Sequence, residues 1–144
     1  MQSFFYLRFS NCDFRMMKEN DLSKRTKSFA LRIMKLIGAL PNTVAGRAIG
    51  GQLIRSGMSV SANYRAACRA RSRAEFIAKL GIVEEEADET CHWLELIIES
   101  AMLDEAKVKD LLKEANEITA IMVASKKTAR GALNNRHSQI ETRK

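Results

Sequence analysis

Glu89 and His92 stand as E-x-x-H, a spacing that puts a carboxylate and an imidazole on one helix face. A di-metal site in a helical bundle needs two such pairs plus a glutamate from each of two further helices. The other histidine, His137, has Asn134 three residues before it, so one chain cannot complete that ligand set. Cys91 adjoins His92, but helix neighbours point about 100° apart, which does not make a nucleophile–base pair. Gly46 and Gly50 lack a following Lys-Ser/Thr at Walker spacing and form no phosphate loop. The expectation is a protein without catalytic residues, metal or cofactor.

The charges carry more information. Between Leu36 and Ala74 the chain places Arg47, Arg55, Arg65, Arg69, Arg71 and Arg73 and no acid. Between Leu80 and Ala106 it places Glu84, Glu85, Glu86, Asp88, Glu89, Glu95, Glu99, Asp104 and Glu105 and no Lys or Arg. The six arginines are candidate phosphate contacts for RNA or DNA, with a basic C-terminal stretch adding reach. Alternatively they pair with the acids, inside one subunit or across two. A basic and an acidic face far apart on one subunit suit head-to-tail contacts, which close into rings.

Gln52, Arg55, Ser56, Ser59 and Asn63 recur in steps of three and four, a polar stripe along one helix. Glu89 on the following helix is placed to meet Arg55, Ser59 or Asn63. A structural polar network of Gln52, Arg55, Ser59, Asn63 and Glu89 is expected, fixing register more than adding stability. The other reading of the stripe is a ligand or subunit contact.

Four helix-length patterns must position these groups. The first, from about Asp21 to Leu40, sets Leu22, Thr26, Phe29, Ile33, Leu36 and Leu40 on one face, and Pro41 stops it. The second, from about Val44 to Ala70, has Ile49, Leu53, Val60 and Ala67 on one side. It is rich in glycine and serine, so tertiary contacts must hold it. Ser72 and Glu75 form a capping box that opens the third helix, with Phe76, Leu80, Val83, Ala87, Thr90, Leu94 and Ile97 in one stripe. Ile82, Trp93 and Leu96 widen its buried face. Asp104 is a candidate N-cap for the fourth, which buries Val108, Leu111, Ala115, Ile118, Met122, Ser125 and Ala129 and is expected to end or fray at Gly131. Short connections favour antiparallel neighbours, hence an all-α, up-down-up-down four-helix bundle.

The 144 residues suffice for one domain with a proper core, and a 46% hydrophobic content argues against disorder. A single proline argues against a turn-rich β fold. Twenty-four basic against 17 acidic residues give a charge of +7. No apolar run approaches the roughly 18 residues a membrane span needs. Cys12, Cys68 and Cys91 make no disulfide framework and suit reduced thiols in the cytoplasm. Residues 1–16, aromatic but interrupted by Arg8, read as an N-terminal extension or a misplaced start rather than a secretory signal. Residues 17–131 read as the bundle and 132–144 as a basic polar tail, with disorder expected from Asn134 to Lys144.

The stretch from Gln52 to Leu96 resembles the 23S rRNA intervening-sequence proteins. The resemblance lies in Gln52, Leu53, Arg55, Ser56, Ser59, Val60 and Asn63, then Ser72, Glu75 and Phe76, then Glu89, Trp93 and Leu94, and it covers about residues 20–125. A glutamate common soon after the asparagine is missing, since Tyr64, Arg65, Ala66 and Ala67 stand there. The resemblance implies a four-helix bundle assembling as a ring, typically a homopentamer. Similar proteins include accessory factors of diversity-generating retroelements, basic pentamers that bind a reverse transcriptase and nucleic acid. The leading expectation is therefore an oligomeric, non-enzymatic bundle that binds nucleic acid or a nucleic-acid-handling protein. The other is a homo-oligomeric scaffold whose basic and acidic helices pair across subunits.

Overall fold

A computed structural model describes residues 12–141. Four helices account for the fold, and no strand occurs among the described residues. They are α1 (Cys12–Ile37), α2 (Val44–Cys68), α3 (Arg73–Glu99) and α4 (Glu105–Glu141). Each helix packs on the next in sequence, and α1 also meets α4, while the backbones of the diagonal pairs α1 with α3 and α2 with α4 do not approach closely among the described residues. This is the packing of a helical bundle around one core.

The turns follow local chemistry. After Ile37 the chain tightens, with Ala39 N–H bonding Leu36 O (2.9 Å) and Leu40 N–H bonding Ile37 O (3.1 Å), before Pro41 ends the helical path. Thr43 is the N-cap of α2, its extended backbone letting the hydroxyl accept from Gly46 N–H at 3.0 Å. Ser72 caps α3 by accepting from Glu75 N–H at 3.0 Å. The Glu75 carboxylate accepts in return from Arg71 N–H (2.8 Å), one residue before the cap, so this capping box closes on the chain entering the turn.

The α3–α4 turn is a Schellman motif built without glycine. Met102 N–H bonds Ile97 O (3.1 Å), Ala101 N–H bonds Ile98 O (2.9 Å), and Ala101 takes a left-handed φ of 54°.

The heptad-like stripes become the core. Thr26, Phe29, Ile33 and Leu36 of α1, Leu80 through Ile97 of α3 and Val108 through Met122 of α4 are buried at the anticipated spacing. On α2 the buried set is Gly46, Gly50, Leu53, Ser56, Gly57, Val60, Tyr64 and Ala67; of the four apolar markers Ile49 is only half-buried, and the set gains glycines that lie against α1 and the connection from it.

Two boundaries differ from the sequence reading. Helix α1 starts at Cys12 rather than about Asp21. Helix α4 runs through Gly131 to Glu141, so residues 134–141 of the stretch expected to be disordered are helical. One exposed glycine costs a helix about 1 kcal/mol, too little to stop a helix already propagated over seven turns. The expectations for residues 1–11 and 142–144 lie outside the described residues.

Candidate functional site

The arginine-bearing helix α2 is held by close approach to α1. A Cβ at Gly46 would collide with Pro41 O of the α1–α2 connection, one at Gly50 would meet Ile37 Cγ2 at 3.6 Å, and one at Gly57 would stand 2.9 Å from Ile33 Cγ2. Contacts with Ile37 at position 50 and Ile33 at position 57 run in opposite senses along the two helices. Small residues thus offset the weak helix propensity of α2 with packing.

Toward α3, the polar stripe divides into parts. Arg55 pairs with Glu89 through Nη2 and with Glu86 through Nη1 (3.3 Å to Oε2). Glu89 also accepts from Trp93 Nε1–H at 3.1 Å, and the Arg55 guanidinium holds its carboxyl below the usual carboxylate range. This pair is not buried, as the network reading required: the Arg55 side chain is 48% exposed and that of Glu89 33%. Desolvating both charges would cost several kcal/mol, and the long arginine stem lets the heads stay in water.

Ser59 and Asn63 stay out of the pairing. Asn63 Nδ2–H bonds Ser59 O (2.9 Å) on its own helix, and Gln52 is exposed. The extended network of Gln52, Ser59 and Asn63 with Glu89 is therefore replaced by one ion pair at the rim. The buried polar link is Ser56 with Thr90, whose hydroxyl oxygens lie 3.0 Å apart. Thr90 Oγ1 lies 2.7 Å from Glu86 O and Ser56 Oγ 3.3 Å from Leu53 O, so either direction of the proton chain satisfies both hydroxyls. Spacing alone signalled Thr90 only as a polar member of an apolar stripe.

Two further clamps have no heptad signal. Arg25 on α1 donates to both oxygens of Glu114 on α4 (2.6 and 2.8 Å) and to Glu117 (2.5 Å), raising the Arg25 pKa and lowering that of Glu114. Lys126 on α4 pairs with Glu84 on α3. Of the α3 acids, Glu84, Glu86 and Glu89 thus have cationic partners, while Glu85, Asp88, Glu95 and Glu99 are exposed.

The E-x-x-H pair does not converge on a shared centre. Glu89 faces Arg55 and Trp93, and the exposed His92 ring sits edge-on to Trp93 with centroids 5.0 Å apart. Among the described residues no group of three or more His, Cys, Asp or Glu is placed to hold a metal ion. No helix is long and apolar enough to cross a membrane among them.

What remains is a cationic surface. Residues 22–74 contain Lys24, Arg25, Lys27, Arg32, Lys35, Arg47, Arg55, Arg65, Arg69, Arg71 and Arg73 and not one acid. Arg25 and Arg55 reach acids on other helices. Arg47 bonds the neutral Asn42 side chain at 2.8 Å, which leaves its charge in place. Arg65, Arg69 and Arg71 are exposed around the α2–α3 turn and make no ion pair among the described residues, and Arg73 is half-buried at the start of α3. The six candidate phosphate contacts are therefore not equivalent.

Comparison with known proteins agrees with this architecture. A crystal structure of a protein of unknown function of the S23 ribosomal protein family, from Bacteroides thetaiotaomicron VPI-5482, superposes with a TM-score of 0.69 at 35% identity. The match covers 73% of this chain and 97% of that one. Among curated proteins, none matches. The pattern described as 23S rRNA-intervening sequence protein matches residues 18–124, the span from the body of α1 into the second half of α4. That span holds the α2 polar stripe, the Ser72 cap and the Glu89–Trp93 contact, and the chain belongs to the 23S rRNA-intervening sequence protein family.

Proposed function

We propose that this protein is a non-enzymatic, cytoplasmic, up-down-up-down antiparallel bundle that assembles as a ring homo-oligomer, a pentamer as the family resemblance implies. In this reading it binds nucleic acid, or a nucleic-acid-handling protein, through the exposed cations of α2. The observation that carries it is Arg69 and Arg71, exposed at the α2–α3 turn within a 53-residue stretch that contains no acid. Cations without intramolecular partners keep their attraction for phosphate; Arg55, held by Glu86 and Glu89, loses most of its own. A buried free thiol at Cys91 suits a reducing compartment.

The test is binding of RNA and duplex DNA across a salt series. Each phosphate contact contributes a slope of about 0.7–0.9 in log affinity against log salt. Replacing Arg69 and Arg71 by Gln should lower that slope by about 1.5 and weaken binding to all sequences alike. Replacing Arg55 should change it much less. Affinity indifferent to salt, or to the double substitution, overturns the phosphate-contact reading.

A second reading rests on the exposed acids Glu85, Asp88, Glu95 and Glu99 of α3, which find no cation within the described chain. Here the protein is a homo-oligomeric scaffold whose basic and acidic helices mate across subunits, without a nucleic-acid role. Purified assemblies free of 260 nm absorbance, with no binding at low salt, would favour it.

A further inference from the structure

We infer that the outer face of α2 docks against the outer face of α3 of a second copy of this chain. The inference rests on the self-assembly common to both readings above and names the surfaces that make it. Val44, Ala48, Gly51, Arg55, Met58, Ala62 and Arg65 follow steps of four and three and are all exposed, with Arg47 beside them. Ala78, Glu85, Asp88, His92, Glu95 and Glu99 do the same on α3, with the half-buried Gly81 in register between Ala78 and Glu85. Each face runs over 22 residues, about 32 Å end to end at 1.5 Å per residue.

Three observations point to a second copy as the occupant. The faces are opposite in charge: Arg47 and Arg65 on one lack an acidic partner in the described chain, and so do the four acids on the other lack a cation. The α2 face also exposes two large apolar side chains, Val44 (78%) and Met58 (45%). Finally, Gly51 has no atom within 4 Å of where a Cβ would stand, and its φ is not positive. Gly46, Gly50 and Gly57 answer to neighbours inside the chain, but Gly51 costs α2 about 1 kcal/mol of helix propensity with nothing inside the chain to offset it. Gly81 stands equally open on the α3 face. Small residues at the centre let two backbones approach while the long arginine and glutamate side chains meet around them. Arg69 and Arg71 fall beyond the mated length and stay available to phosphate.

The experiment measures solution mass by light scattering over a concentration series, with helicity followed by circular dichroism. Wild type should assemble. Gly51→Leu should keep its helicity, since open space surrounds the site, and lose assembly. Reversing Arg47 and Arg65 to Glu, or Asp88 and Glu95 to Lys, should each abolish assembly, and one chain carrying all four reversals should assemble again. Assembly unchanged in the reversed chains overturns the assignment of faces while leaving self-assembly intact. A wild type of single-chain mass at every concentration overturns both. If Gly51→Leu fails to fold, the four-reversal chain decides alone, and its failure to assemble overturns the inference.

Discussion

Gly57 lies directly against Ile33: a methyl group on Gly57 would stand 2.9 Å from Ile33 Cγ2 and 3.2 Å from its Cβ. Ile33 is fully buried and branched at Cβ, so it cannot swing aside. The spacing of α1 and α2, and hence the placement of the arginine-bearing face, depends on this absent side chain. Gly57→Ala gains about 1 kcal/mol in helix propensity but overpacks the core by about 1–3 kcal/mol. A net loss of about 1 kcal/mol in chemical denaturation is expected. Gly131→Ala, with open space around it, should shift the midpoint the other way. Equal stability of Gly57→Ala and wild type would contradict the close approach.

Acid should loosen the bundle through two carboxylates. Hydrogen bonds from Arg25 and Arg55 hold Glu114 and Glu89 below the usual carboxylate range. A depressed native pKa adds stability that is complete above the unfolded value, about 4.3, and is lost as pH falls through the native one. Denaturation midpoints should hold near neutrality and fall below about pH 4. Glu114→Gln should flatten that fall. Glu89→Gln should have the smaller, salt-screened effect, because its partner Arg55 is the more exposed arginine. A pH profile unaltered in Glu114→Gln would remove the α1–α4 clamp from the account.

Ala101 occupies the left-handed position of the α3–α4 Schellman turn with φ 54°. Glycine adopts that conformation without the Cβ clash that costs alanine about 1–2 kcal/mol, though it gives up some of this in unfolded-state entropy. Ala101→Gly should stabilise the protein by about 0.5–1 kcal/mol. Ala101→Val should destabilise it, because branching at Cβ makes positive φ harder still. Thermal unfolding of the two variants reads the difference in sign.

Thiol chemistry should separate Cys68 from Cys91. Burial pushes the Cys91 thiol up to about 11, and the side chain is 5% exposed, whereas Cys68 is exposed at the end of α2. Only thiolate reacts, so iodoacetamide near neutral pH should label Cys68 well before Cys91 in native protein. Urea should bring Cys91 to the same rate. Because the folded pKa lies above the unfolded one, stability should also decline as pH rises past about 9. Fast native labelling of Cys91 would contradict its place in the core.

The helices themselves were legible in the chain. Steps of three and four from Leu22 to Leu36, Leu80 to Ile97 and Val108 to Ala129 picked out core faces, and the Ser-x-x-Glu spacing picked out the Ser72 cap, whereas the Thr43 cap has no such spacing to mark it. The α2 set was harder to read, because Gly46, Gly50 and Gly57 are buried for what they lack, and hydropathy does not score an absent side chain. Tyr64, 2% exposed, escaped for a related reason: its ring packs inside although a phenol ranks as only half apolar.

Local spacing and composition determined that the chain forms four helices, and that its charges divide between a basic second and an acidic third. Those properties depend on neighbours within a few residues, where periodicity and capping act. Only the tertiary structure decided which charges are already engaged. Arg55 meets Glu86 and Glu89, Arg25 meets Glu114 and Glu117, and Lys126 meets Glu84, pairs separated by 31 to 92 positions along the chain. Such pairings depend on how helices rotate and how closely they approach, which packing sets and sequence distance does not record. The same packing leaves Arg65, Arg69 and Arg71 exposed at one turn and Glu85 through Glu99 exposed on the next helix.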